Sequence, residues 1–204
     1  MARDKEGHHE VIMAEALKEF KTYGFKDASI RRIAQNSGMS ASGLYKHFES
    51  KEEMFAALVE PAYSGFMKMY YAMEEEFFDG AEAFDKDSTW SENHDSRMTL
   101  EYVYDNYDAF YLIVKCSEGT KYENFLHDIA VQEEKTLRAY LEKLKVLGKE
   151  IKEIDWDEAH LLITANTNAT FQAIEHGFDR EKAMHYADTL DAFFLSGWRE
   201  FFGL

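Results

Sequence analysis

Apolar positions recur every three or four residues through most of the chain, the period of an α-helix that buries one face. Ile12, Met13, Ala16, Leu17 and Phe20 make one such stripe and predict a first helix from about His8 to Tyr23. Ser29 is a good N-cap, and Ile30, Ile33 and Ala34 behind it predict a short second helix. Gly38 supplies the positive φ that ends it in a sharp turn. Ser40 caps a third, which turns Leu44 inward and Ser40, Ala41, Ser42, Gly43 and Lys46 outward. Ser50 with Glu53 forms a capping box, so a fourth helix starts at Lys51 and passes Met54, Phe55 and Leu58. Pro61 should kink or break it before the stripe resumes through Tyr63, Phe66, Met67, Tyr70 and Tyr71 to about Phe78.

Residues 79–96 are polar with scattered Ala, Phe and Trp and read as a short helix and a loop. One helix rich in aromatics is expected from Arg97 to Lys115, broken by Ser117-Glu118-Gly119. A long helix follows from Thr120 to about Leu147, with Phe125, Ile129, Leu137, Leu141 and Leu144 inward and Gly148 at its end. Asp155 and Asp179 cap the last two helices. In the first of them Ala165, Ala169 and Ala173 recur every fourth residue and leave an edge that another helix can approach closely. In the second, Ala187, Leu190, Phe194, Trp198 and Phe201 form a packing seam. The fold class is all-α, about nine helices, with no internal repeat and no low-complexity segment.

Residues 29–48, SIRRIAQNSGMSASGLYKHF, set two short helices around a tight turn. That is the layout of a helix-turn-helix, which lays its second helix in the DNA major groove. The wider segment from Tyr23-Gly24-Phe25 through Ser29-Ile30, Ile33-Ala34, Gly38-Met39-Ser40, Leu44-Tyr45 and His47-Phe48 to Ser50-Lys51 resembles the DNA-binding domain of the tetracycline-repressor (TetR) family. The likeness covers about the first quarter of the chain.

The resemblance implies that Ser29, Tyr45 and Lys51 touch DNA phosphates, and Ser29 and Lys51 sit at helix starts, where free amides favour an anion. It implies that Arg31 reaches a base edge. Lys46 could serve a base or a phosphate. Arg32 and His47 complete the candidate surface, each equally readable as exposed helix face or packed ring. Ala41, Ser42 and Gly43 offer little hydrogen-bonding reach, so readout leans on Arg31, Lys46, thymine methyls and DNA shape.

The resemblance further implies a dimer built by the last two helices, through Ala165, Ala169, Ala173, Ala187, Leu190, Phe194, Trp198 and Phe201. It also implies a ligand pocket among the middle helices. Its candidates are Tyr63, Phe66, Met67, Tyr70, Trp90, Tyr102, Tyr107, Phe110, Tyr111, Cys116, Asn166, Thr170 and Phe171. Asn166 stands out as a polar amide in a packing-grade helix; it could equally fix register across a helix seam.

Charge changes the picture by region. The formal net charge is −16. Residues 1–50 carry 8 Lys and Arg against 7 Asp and Glu, a balance of +1, and residues 51–204 carry 15 against 32, a balance of −17. The head thus lacks the basic signature of many nucleic-acid binders, and the acidic remainder would repel DNA beyond the contact face. Cys116 stands alone, which fits a reducing, cytoplasmic setting. The N-terminus has no apolar signal segment, and no apolar run approaches membrane-spanning length.

Catalytic constellations are poor. His127-Asp128 resembles a metal phosphohydrolase dyad, but further ligands cannot be placed, and no metal site or cofactor is expected. The expectation is a non-enzymatic, homodimeric, ligand-released repressor of a palindromic operator. Its helix-turn-helix head spans 1–50 and its ligand-binding and dimerisation body 51–204. The alternative is a helical dimeric ligand- or protein-binding module whose head does not read DNA.

Overall fold

A computed structural model describes residues 2–79 and 95–203. Trp90 and the short helix and loop expected over 79–96 lie, apart from their flanks, outside the described residues. Nine helices are present among those described: α1 (Ala2–Asp27), α2 (Ile30–Asn36), α3 (Ala41–Leu44), α4 (Lys51–Asp79), α5 (Asp95–Asp105), α6 (Tyr107–Cys116), α7 (Phe125–Val146), α8 (Trp156–Glu175) and α9 (Arg180–Phe202). The all-α expectation holds.

The helix boundaries follow the capping chemistry. Ser40 Oγ accepts from the Gly43 amide at 3.1 Å, and Asp179 accepts from the Lys182 amide at 2.8 Å. Gly38, at φ 72, closes α2 and lets the Met39 amide reach the Ala34 carbonyl at 2.9 Å. A side chain there would be strained by backbone conformation alone.

Three expectations change. α4 runs unbroken through Pro61. Pro61 is exposed, so its ring meets solvent, and the one amide bond it lacks does not end a helix held by its buried face. The aromatic-rich segment is two helices, because the backbone leaves the helical region at Asn106 (φ −122, ψ 36), a residue type suited to helix ends. The long helix starts at Phe125, not Thr120. Ser117 Oγ donates to the Ile113 carbonyl at 2.6 Å and Thr120 Oγ1 to the Ser117 carbonyl at 2.7 Å, and these local bonds hold the intervening residues in turns.

The chain divides into two compact units. The first comprises Met1–Gly65 and Asn106–Glu123, so α6 groups with α1 to α3 and the first part of α4. Its core holds Ile12, Ala16, Phe20, Ile33, Leu44, Met54 and Phe55, all fully buried. Phe20, Phe25 and Phe55 form a ring cluster with centroids 5.1–6.0 Å apart. Within this unit Glu60 of α4 receives the Lys121 ammonium at 2.7 Å and the Tyr122 hydroxyl. Those two bonds hold the Glu60 carboxyl down at about 2.

The second unit comprises Phe66–Asp105 and Asn124–Leu204. α7 packs on α8, and α5 on α9. α8 and α9 form a hairpin whose register is marked by the Tyr186 hydroxyl donating to the Ala169 carbonyl at 2.9 Å. Tyr140, Leu141, Leu144 and Phe202 make a buried cluster at one end, covered by Phe77, Trp156 and Trp198 among others.

Candidate nucleic-acid interface and ligand cavity

The first helix of the helix-turn-helix is fastened to α1 by a buried acid. Glu19 of α1 is 5% exposed. It accepts from the Ser29 amide at 2.7 Å and from Arg32 Nε at 2.8 Å, and pairs with Arg32 Nη2 at 2.6 Å. Arg32 also donates to the Asp27 carbonyl and stacks on Tyr23, 4.2 Å from the ring centroid. Arg32 therefore ties α1 to α2, and the Ser29 amide is already occupied by a carboxylate. Lys51 is similarly turned inward. Its ammonium donates to the Phe25, Lys26 and Ala28 carbonyls at 2.7–3.3 Å and so closes the end of α1.

Arg31, Ser40, Ser42, Tyr45 and Lys46 are exposed; Ala41, Gly43 and His47 are half-buried. Arg31 and Lys46 make no ion pair with the described residues, and Tyr45 keeps half its surface in water. This face is small-residue, polar and cationic. The neighbouring arginines separate by role. Arg32→Ala should lower the thermal midpoint, since it strips Glu19 of its counter-charge. Arg31→Ala should leave that midpoint unchanged. Equal melting behaviour of the two variants, measured by circular dichroism, would overturn this division.

The second unit holds a cavity of about 210 Å³. Of the pocket candidates, Phe66, Tyr70, Asn166, Thr170 and Phe171 line it. Tyr63, Tyr107, Phe110, Tyr111 and Cys116 belong to the first unit, and Met67 and Tyr102 lie outside the lining. Sequence reasoning missed its acidic members: Glu74, Asp95, Glu133 and Asp191. Glu133 had a legible signal. It stands at the empty step of the stripe Phe125, Ile129, Leu137, Leu141, a carboxylate where the period calls for an apolar residue.

The expected dimer stripe is mostly taken up within the chain. Ala173, Ala187 and Leu190 are buried, Phe194 and Trp198 line the cavity, and Phe201 packs on the Tyr140 cluster. Ala165 is exposed and Ala169 half-buried. The apolar surface that the α8–α9 hairpin leaves open is a different one, Leu161 (69% exposed), Leu162 and Phe193 (73%). No group of three or more His, Cys, Asp or Glu positioned to hold a metal occurs among the described residues, and His127 and Asp128 are exposed on α7. No helix of the described residues is long and apolar enough to cross a membrane.

A family model described as bacterial regulatory proteins, tetR family, matches residues 12–58, the segment that builds α1 to α3 and enters α4. The structure of the TetR-family transcriptional regulator PfmR from Thermus thermophilus is 26% identical, with a TM-score of 0.52, over 88% of this chain and 96% of that one. Residues 12–58 match the tetR-family DNA-binding segment. A TetR-like transcriptional regulator from Rhodococcus sp. RHA1 shares the fold at 17% identity, TM-score 0.53, over 95% of this chain and 94% of its own. The HTH-type transcriptional regulator YdgC of Bacillus subtilis (strain 168) is 33% identical over 58 residues. That match spans 28% of this chain and 30% of the curated relative's length.

Proposed function

We propose that the chain is a homodimeric transcription regulator, a repressor released from its operator by a small molecule. Residues 1–50 would bear the DNA contact, and residues 51–204 the ligand and dimer functions. The observation that carries this reading is the outward face of α2 and α3. Glu19 and Arg32 fasten α2 to α1, while Arg31, Tyr45 and Lys46 stand unengaged on the exposed side. Two such faces, roughly 34 Å apart, would enter successive major grooves of a palindromic site. Arg31 would read a base edge, and Tyr45 and Lys46 would hold backbone. Ser29 and Lys51 would meet phosphate only by sharing groups now bonded within the head.

The ligand would act by binding better to a dimer whose heads are wrongly spaced, since equal affinity for both states shifts nothing. α4 contributes residues to both units and is the continuous element through which such a shift would pass. No catalytic step is part of this reading.

Protection mapping on the DNA upstream of the coding region tests it, with a symmetric footprint expected. Lys46→Ala should weaken binding to all sequences and lower the salt slope by about one ion, whereas Arg31→Ala should cost about 1–3 kcal/mol at particular base positions. A full-length protein that shifts no duplex even at low salt would overturn the regulator reading in favour of a ligand- or protein-binding module.

A further inference from the structure

The cavity of the second unit has an unusual lining. Its walls are aromatic and aliphatic, from Phe66, Phe171, Phe194 and Trp198, yet four carboxylates face it from four different helices. Glu74 comes from α4, Asp95 from α5, Glu133 from α7 and Asp191 from α9. Among the described residues the lining includes no Lys, Arg or His. Burial pushes the Glu133 carboxyl up to about 7, and the Asp95 and Glu74 charges add to the rise. The carboxylates are spread around the wall and do not converge as a metal site would.

Two polar groups in the same cavity lack partners. Tyr70 is 7% exposed, and its hydroxyl makes no well-formed hydrogen bond, while the Glu133 and Glu74 carboxylates lie close enough to act on it. The Asn166 Oδ1 atom is buried and accepts no hydrogen bond. A buried acceptor without a donor is costly, and a ligand that brings donors removes the cost. An ammonium group carries donors and no acceptor. A positive charge among aromatic faces also gains from the ring quadrupoles. An anionic ligand would instead add further negative charge to a site already lined by carboxylates.

We propose that this cavity binds a small organic cation, a protonated or quaternary amine attached to a single hydrophobic ring. The size follows from the volume. An apolar cavity of about 150 Å³ takes one benzene ring, so about 210 Å³ leaves room for a ring and a short cationic arm. The ring sits against Phe66, Phe171 and Trp198, and the ammonium lies between Glu133 and Glu74, with Asn166 Oδ1 as a further acceptor for a protonated amine. As the identity of the effector, the cation rests on the regulator reading above; as a binding site, it does not.

Titration of the full-length protein by calorimetry tests it, with phenethylammonium, benzyltrimethylammonium, neutral 3-phenylpropanol and anionic 3-phenylpropionate as probes. Saturable one-site binding of the two cations is expected, with the carboxylate at least tenfold weaker. Glu133→Gln should weaken both cations by roughly tenfold or more while leaving the alcohol unchanged. Asn166→Leu should weaken phenethylammonium and spare the quaternary ammonium, which has no N–H to donate. Binding of the anion or the alcohol as tightly as the cations would overturn the proposal, as would cation binding indifferent to Glu133→Gln. A gel shift on the upstream DNA run in parallel separates the two levels. Cations that bind but leave the DNA complex intact support the site and sink the effector role. An intact DNA complex with no cation binding sinks the site and spares the regulator.

Discussion

Phe193→Asp should convert the protein to a monomer in solution and cost it most of its operator affinity. Phe193 is 73% exposed on α9 and Leu161 is 69% exposed on α8. The two residues lie at equal distance in sequence from the Gly177 turn, and the Tyr186–Ala169 hydrogen bond confirms that α8 and α9 run back to back in that register. They therefore sit at the same level of one hairpin. On the homodimer reading proposed above, exposed aromatic and leucyl side chains at one level of two paired helices are where a second copy would seat. A second copy related by twofold symmetry would present the same residues in return. A carboxylate at the centre of such a seam is buried without a partner, which opposes association strongly. Linking two half-site contacts raises affinity roughly 10²- to 10⁴-fold over one, so a monomer should bind operator weaker by that order. Light scattering and a gel shift read the two effects. A Phe193→Asp dimer that still binds DNA as the parent does would place the interface elsewhere.

The same measurement distinguishes this face from the stripe that periodicity picks out on α9. Phe194→Asp or Trp198→Asp alters the cavity wall and the Tyr140 cluster, so these changes should lower thermal stability whatever the oligomeric state. Periodicity marks which residues face inward on a helix and cannot say whether the inside belongs to the same chain or to another. Ala187, Leu190, Phe194 and Trp198 face the protomer's own interior, and the face left over is the shorter one carrying Phe193.

Locality decides what is legible elsewhere in the chain. The helix-turn-helix was legible because its signals are local: a serine cap, a glycine at positive φ and an inward leucine within one short segment. The second roles of its residues were not, because Arg32 and Lys51 are defined by partners distant in sequence, Glu19 for one and the Phe25–Ala28 carbonyls for the other. The caps on α8 and α9 were legible for the same local reason, and the Asn106 break was not, since propensity at one residue is weak against the stripe around it. The cavity lies between these cases. Its aromatics look like plain core, whereas Glu133 contradicts its own stripe.

That contradiction carries a pH dependence with a definite sign. The Glu133 carboxyl is held at about 7 against an ordinary 4.5, chiefly by burial, with Glu74 on α4 and Asp95 on α5 opposing its charge and the Thr167 hydroxyl on α8 favouring it. Asp191 on α9 lines the same space. Between those two pH values the folded protein binds more protons than the unfolded chain, so stability falls as pH rises through the window. Below it both states are protonated and Glu133 contributes nothing; above it the full cost stands, about 3 kcal/mol as a ceiling, since water reaching the cavity screens part of the charge. Glu133→Gln keeps an acceptor for Thr167 and removes the charge. The variant should therefore melt at the same temperature as the parent near pH 4.5 and several degrees above it at pH 8. Parallel melting curves at every pH would mean that Glu133 is solvated like a surface carboxylate. A cationic ligand reverses the sign for the parent alone, because it pairs with the ionised form: its affinity should rise from pH 5.5 to pH 8, and its stabilising effect on the melt should be largest where the unliganded protein is weakest.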